Sequence, residues 1–166
     1  MKVIKSKLVI FLCIPGILIS LWPTSNPVKT LRGVCARVLD GDTIEVAGRR
    51  IRLANIDAPE SGQYSYDRKP IGKLSTLFLR NLILNKQVTV QYLNHGRYGR
   101  ILGTVYLNKM DINLRMIQAG MALTFGDKTP PRYRSSTYTA QITRRGLFRT
   151  EGFSRPGFFR KKKATH

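Results

Sequence analysis

Residues 34–60 hold three short β-branched segments joined by tight turns, a pattern that constrains the fold more than any other part of the chain. Residues 34–38, 43–46 and 51–56 have the composition of strands, whereas Asp40-Gly41-Asp42 and residues 47–50 have that of turns. Strands this close in sequence are typical of an antiparallel meander. The proline that follows residue 58 ends the third strand, because proline donates no ladder hydrogen bond.

Farther along, the chain alternates between the periods of helices and strands. Residues 71–82 predict a helix, because apolar side chains recur every three or four positions, at Ile71, Leu74, Leu77, Phe78 and Leu82. Residues 87–93 and 103–107 predict two more strands, and a short helix over residues 111–119 would end at Gly120. We therefore predict an α+β, mainly β fold, a five-stranded barrel of the OB type with about three helices. Periodicity alone does not decide whether the barrel closes.

The charge of the chain points to its partners. It has 166 residues, 42% of them hydrophobic, which is enough for one domain with a core. Its 29 basic and nine acidic residues give a net charge of +20, which favours nucleic acid or an anionic membrane as the partner. A basic protein that is merely soluble is the alternative. We expect a monomer.

Cysteine and histidine are too scarce to build a metal cluster. Cys13 and Cys35 are the two cysteines, and His95 and His166 the two histidines. This excludes a disulfide framework and a zinc cluster, and Cys35 is most simply a small buried apolar residue. Any bound metal must therefore have oxygen ligands.

The first 27 residues have the plan of an export signal. Three lysines within residues 1–7 precede an uncharged run over residues 8–22. The run is shorter than the ~20 residues that span a bilayer, and no small-residue cleavage site follows it. We predict residues 1–27 to be a signal peptide plus linker, and the protein to be secreted or periplasmic. An uncleaved membrane anchor through residues 8–22 and a buried core helix are the alternatives.

Acidic residues gather where the strands meet. Asp40, Asp42, Asp57 and Glu60 lie close to Arg52 in a chain that has only nine acidic residues. Each has an ordinary alternative role, as a turn residue, a cap or a solvated strand arginine. Together they suit a hard cation such as Ca²⁺, with a further carboxylate to activate water. The cluster predicts a metal-dependent nuclease centre.

A glycine-rich basic loop supplies candidate phosphate ligands. Arg97 and Arg100 flank Tyr98 and Gly99, and the glycine allows a ligand to approach the backbone closely. Planar guanidinium groups suit bidentate contact with phosphate. A metal, a water activator and anion-binding arginines are the parts that phosphodiester hydrolysis requires.

Four sequence strings resemble the thermonuclease, or staphylococcal-nuclease-like, family in its order and spacing: V-L-D-G-D-T-I-E-V, I-R-L-A-N-I-D-A-P-E, Y-G-R-I-L-G-T-V-Y and I-N-L-R-M-I-Q-A-G-M-A. The resemblance spans residues 32–148 and adds a last helix over residues 133–146. It implies a Ca²⁺-dependent endonuclease that cleaves DNA and RNA, single- or double-stranded, with little sequence preference.

The resemblance also implies a ligand set. Asp42 and Asp57 would bind Ca²⁺ together with the carbonyl oxygen of Ala58, and Asp40 would lie behind these ligands. The family usually has threonine where this chain has Ala58. A backbone ligand does not depend on that side chain.

The catalytic side chains follow from the same resemblance. Glu60 matches the general base or water-orienting residue, and Arg52 and Arg100 match the two catalytic arginines. Tyr98 matches the tyrosine that touches a substrate phosphate, and Arg97 lies beside it. Their presence argues against the main rival from another class, a catalytically inactive OB-fold module that only binds nucleic acid.

One feature of the family has no direct match. The nucleotide-stacking tyrosines that it carries after the segment matching residues 120–125 are absent, and Phe125 or Tyr133 would have to replace them. Aromatic stacking of bases is tolerant of sequence. The substitution therefore bears on affinity and base preference, and leaves the metal chemistry untouched.

The C-terminal tail interleaves aromatic and basic residues. We predict a nuclease-like domain over residues 28–150 and a tail over residues 151–166. From Lys128 onward there are eleven lysines and arginines and a single acid, Glu151. Such a tail could hold a nucleic-acid strand, lie on an anionic membrane as part of a membrane-surface protein, or remain a disordered terminus.

Overall fold

The computed structural model describes residues 27–95 and 100–164. Within these two ranges, the helices are all too short or too polar to cross a membrane. The predicted leader at residues 1–27 lies almost wholly outside the described part of the chain, so export and membrane anchoring stay predictions.

A closed five-stranded barrel forms the centre of the molecule. Its strands are β1 (Lys29–Asp40), β2 (Thr43–Val46), β3 (Arg49–Leu53), β5 (Gln87–His95) and β6 (Ile101–Leu107). The hydrogen-bonded order is β3-β2-β1-β5-β6, and parallel pairing of β3 with β6 joins the two ends. Three two-residue strands complete the structure: β4 (Ile56–Asp57), β7 (Met110–Asp111) and β8 (Leu123–Thr124). The predicted OB-type barrel is confirmed, and it is closed.

The described parts of the chain contain four α-helices in addition to the barrel: α1 (Ile71–Ile83), α2 (Ile112–Gln118), α3 (Pro131–Ile142) and α4 (Pro156–Ala164). A 3₁₀ helix, Gly146–Arg149, lies between the last two. The first three match the number predicted, although α3 begins and ends earlier than residues 133–146. The fourth lies in the tail and was not predicted.

The strand limits differ from those predicted, because pairing partners decide them. β1 begins five residues before Val34, since Lys29 pairs with Tyr92 of β5. The predicted turn at residues 47–50 is confined to Ala47 and Gly48, which have positive φ angles of 49° and 69°. The third strand ends at Leu53, before the turn that separates it from β4.

Helix α1 packs on the barrel with only part of the predicted apolar face, since Ile71 is buried and Phe78 and Leu82 pack against the core. Leu74 and Leu77 are exposed, and the buried residues are Ile71, Gly72, Ser75, Leu79 and Ile83. The two small residues allow close approach of other chain segments, and the Ser75 hydroxyl donates to the carbonyl oxygen of Met121 at 2.7 Å. A pattern that counts only large apolar residues misses such a face.

Apolar residues from all five barrel strands fill the interior. Ile44, Ile51, Val90 and Val105 are buried there. Cys35 is also fully buried, which confirms its predicted place in the core.

Asn113 ties α2 to the barrel with a buried amide. Its Oδ1 accepts the N–H of Val105 at 3.0 Å, and its Nδ2 donates to the carbonyl oxygens of Ala54 and Gly103 at 2.9 and 3.2 Å. Asn113→Ala leaves these buried backbone groups without a partner, so we expect urea denaturation to show a loss of about 3 kcal/mol in the free energy of unfolding. The exposed Gln141→Ala in α3 is the control, with a change below about 0.5 kcal/mol. Equal effects of the two substitutions would contradict this role for the amide.

Candidate active site

The turn between β1 and β2 holds the first carboxylates of the site. Asp40 ends β1, and its Oδ1 accepts the backbone N–H of Asp42 at 2.9 Å. The two aspartates are therefore joined by a turn and not by extended chain. Gly41 is required between them, because a Cβ there would lie 2.1 Å from the Ser75 Oγ.

The carboxylate of Asp42 is buried and fully hydrogen-bonded. Its Oδ1 accepts from Arg52 Nη1 at 2.6 Å and from the hydroxyl of Thr43 at 3.0 Å, and its Oδ2 accepts the N–H of Ala58 at 3.0 Å. Burial raises the pKa of Asp42, and the positive charge of Arg52 opposes this rise. The hydrogen bond from the Ala58 N–H places Ala58 beside Asp42. Binding of Ca²⁺ by the carbonyl oxygen of Ala58 stays a prediction.

Arg52 joins two carboxylates that are 15 positions apart in the sequence. Its Nη2 donates to Asp57 Oδ1 at 2.8 Å while its Nη1 holds Asp42. Asp57 is also buried, in the two-residue strand β4 whose partner across the small sheet is Leu123. Asp42 and Asp57 therefore both bond to the guanidinium group of Arg52.

Glu60 lies three residues after Asp57 in a loop that helix α1 holds in place. Its backbone N–H donates to Gln63 Oε1 at 3.3 Å. Gly72, in the first turn of α1, packs so closely that a Cβ would lie 1.7 Å from the carbonyl oxygen of Glu60. The glycine thus lets the helix and this loop meet.

A second arginine enters the cluster from the far end of the chain. Arg160 of α4 donates from Nη1 to Glu60 Oε1 at 2.6 Å and from Nη2 to Asp57 Oδ1 and Oδ2 at 3.0 and 3.2 Å. The sequence contained two weak signals for this residue, the Pro156 that begins α4 and the mixture of aromatic and basic residues in the tail. Neither indicated that the helix would return to the acidic cluster.

The predicted phosphate-binding loop is described only at its end. Arg97 and Tyr98 fall outside the described residues. Arg100 directly precedes β6, whose Ile101 pairs with Ile51 of β3 beside Arg52. Within residues 27–95 and 100–164, no hydrogen bond or ion pair connects Arg100 to the carboxylates, so its role stays a prediction.

The donor set suits a hard cation. Asp42 and Asp57 offer buried oxygen atoms that already share one positively charged partner. No group of three acidic, histidine or cysteine side chains in the described parts of the chain could hold a metal ion alone. Carbonyl oxygens and water would therefore have to complete the shell, as is usual for Ca²⁺.

The structure narrows the choice of base-stacking aromatics. Tyr133 is buried, and its hydroxyl donates to Asp111, so it cannot stack on a nucleotide and that alternative was wrong. Phe125 is 56% exposed and follows β8, the partner of the strand that holds Asp57. Tyr64 and Tyr66, exposed in the loop that carries Glu60, are further candidates that the sequence did not single out.

A closed OB-type barrel that carries a carboxylate–arginine cluster on a strongly basic chain defines a class of proteins suited to polyanions. Residues 50–150, more than half of the chain, match the family model described as staphylococcal nuclease homologue. The chain belongs to this staphylococcal nuclease homologue family and is a phosphodiester-hydrolysing nuclease.

Bacterial proteins of similar sequence support membership of this family. The chain is 42% identical over 124 residues to an uncharacterized endonuclease of Escherichia coli, covering 71% of this chain and 77% of that protein. It is 35% identical over 153 residues to a micrococcal nuclease of Shigella flexneri, covering 81% and 84%. A succinoglycan biosynthesis protein, ExoI, of Rhizobium meliloti is 33% identical over 122 residues, covering 70% of this chain and 64% of that protein.

Proposed function

We propose that the protein is an exported, Ca²⁺-dependent nuclease that hydrolyses DNA and RNA with little sequence preference. The observation that carries the proposal is the convergence of Asp42 and Asp57 on Arg52. Glu60 lies beside them, because Arg160 bonds to both Glu60 and Asp57. These are the residue types that bind a hard cation, activate water and neutralise phosphate charge.

Each side chain has a separate task in this reaction. Asp42 and Asp57 would hold Ca²⁺, which supplies positive charge to the scissile phosphate. Glu60, whose side chain is 35% exposed, accepts a proton from the attacking water. Arg52 and Arg100 donate hydrogen bonds to phosphate oxygens as negative charge develops there.

Low sequence preference follows from the kind of contact that the surface offers. A net charge of +20 attracts the phosphate backbone, and such contacts position a strand without reading its bases. An exposed aromatic such as Phe125 stacks on any base. Single- and double-stranded DNA and RNA are therefore all proposed substrates.

Calcium dependence is tested by cleavage of plasmid DNA and of RNA with and without a chelator. We expect rapid cleavage of both in Ca²⁺, a loss of at least about a hundredfold in EGTA, and recovery when Ca²⁺ is restored. Asp57→Asn should be inactive in both buffers, which controls for a contaminating nuclease. Undiminished cleavage in EGTA, or intact substrates in Ca²⁺, would refute the proposal.

Export is proposed from the leader pattern at residues 1–27. Fractionation of cells that express the full chain or a form without these residues tests it. We expect activity outside the cytoplasm only when the leader is present. Equal cytoplasmic retention of both forms would exclude export by this segment.

A further inference from the structure

The C-terminal segment, defined as residues 150–164, lies against the loop that carries Glu60. The backbone N–H of Tyr66 donates to the carbonyl oxygen of Gly152 at 2.8 Å. Gln63 Nε2 donates to the carbonyl oxygen of Ser154 at 2.5 Å, while its Oε1 accepts the N–H of Glu60. The buried amide of Gln63 thus bonds both to Glu60 and to the segment, next to the bond between Tyr66 and Gly152.

Helix α4 then places the side chain of Arg160 on two carboxylates of the site. The guanidinium of Arg160 contacts both oxygens of Asp57 and Oε1 of Glu60. Gly157, in the first turn of α4, lies so near that a Cβ would be 4.0 Å from Asp57 Oδ2. The helix therefore lies over Asp57, and its arginine offsets part of the negative charge of Asp57 and Glu60.

We propose that the C-terminal segment is an autoinhibitory cap in which Arg160 competes with the divalent cation for Asp57 and holds Glu60 in an ion pair. The inference rests on the proposed function, because it requires a cation at Asp57. The guanidinium of Arg160 bonds to both carboxylate oxygens of Asp57. It therefore repels a divalent cation and occupies the oxygen atoms that would bind that cation. The same group holds Glu60 in an ion pair, where it accepts a hydrogen bond from Arg160 instead of a proton from water.

The contact has the character of a reversible one. The Arg160 side chain is 37% exposed, and its partners Glu60 and Asp57 are 35% and 6% exposed, so water weakens chiefly its attraction to Glu60. By contrast, Arg52 is 22% exposed and its partner Asp42 only 3%, so that pair is an integral part of the barrel. Cation binding would release Arg160 and leave Arg52 in place.

Calorimetric titration of the nucleic-acid-free protein with CaCl₂ tests the competition directly. Arg160→Ala should bind Ca²⁺ about tenfold more tightly than the unmodified chain, because the cation no longer displaces an internal competitor. Arg155→Ala is the matched control, since it removes the same charge from an exposed residue of the same segment and should bind as the unmodified chain does.

Limited digestion with trypsin reports whether the cap moves. We expect Ca²⁺ to accelerate cleavage after Arg160 in the unmodified chain, because release of the guanidinium exposes that bond. Slower or unchanged cleavage would overturn the cap. Equal Ca²⁺ affinities of the unmodified chain and Arg160→Ala would overturn the cap alone. Absence of Ca²⁺ binding by both would overturn the proposed function with it.

Discussion

Glu60→Gln should lower the rate of phosphodiester cleavage by about a hundredfold to ten-thousandfold. The amide has nearly the shape of the carboxylate, but it cannot accept a proton from the attacking water. The backbone of residue 60 remains bonded to Gln63 and packed against Gly72, so the loop should keep its position. Single-turnover cleavage of a labelled oligonucleotide at saturating Ca²⁺ measures the effect on the chemical step.

Glu45→Gln is the matched control for this substitution. Glu45 forms a surface pair with Arg37 at 3.7 Å, so its loss should leave the cleavage rate within about twofold. Glu60→Gln should still bind Ca²⁺, which separates a defect in proton transfer from loss of the cation. A Glu60→Gln enzyme that retains more than about a tenth of the rate would exclude Glu60 as the base.

The barrel and half of the site were predictable because their signals are local. Turn residues and β-branched segments are interleaved within a few positions, so Asp42 and Asp57 could be placed near one another before any long-range contact was known. In the sequence Arg52 alternates with apolar Ile51 and Leu53, a pattern that places its side chain on the face opposite the apolar residues. The position of Arg52 between Asp42 and Asp57 could not be predicted, because it depends on how the turns fold.

The contribution of Arg160 could not be predicted, because nothing local determines it. It lies 103 positions from Asp57, and the nine-residue helix α4 is too short and too polar for a strong periodic signal. A basic tail is compatible with nucleic acid, membrane or solvent. Only the docking of Gly152 and Ser154 against the Glu60 loop brings the guanidinium to the acids.

The buried face of helix α1 likewise could not be predicted in full from local sequence signals. The buried face of α1 includes Gly72 and Ser75, which hydrophobic periodicity ignores, whereas Leu74 and Leu77 are exposed. The small residues are buried because the Glu60 loop and the Asp40–Asp42 turn lie directly against the helix. The geometry of the site thus adds small residues to the buried face, and the sequence pattern alone predicts only part of that face.

Arg52→Ala should destabilise the metal-free protein by about 3 kcal/mol and abolish most activity. The Asp42 side chain is only 3% exposed, and its ionic partner is Arg52, so the substitution leaves a buried carboxylate without a countercharge. Arg160 still pairs with Asp57, which limits the loss at that second carboxylate. Urea denaturation in EGTA measures the difference in the free energy of unfolding.

Calcium should partly reverse this loss, and the reversal connects stability to the proposed site. A cation bound by Asp42 and Asp57 supplies the missing positive charge, so Ca²⁺ should raise the unfolding free energy of Arg52→Ala more than that of the unmodified chain. Activity should not return, because the cation cannot replace a hydrogen bond from Arg52 to the substrate phosphate. Arg37→Ala, from an exposed pair, should change stability by less than about 0.5 kcal/mol in either buffer. If Ca²⁺ stabilised Arg52→Ala, Arg37→Ala and the unmodified chain equally, the cation would bind away from Asp42 and Asp57. Only binding at these two carboxylates depends on the charge of Arg52.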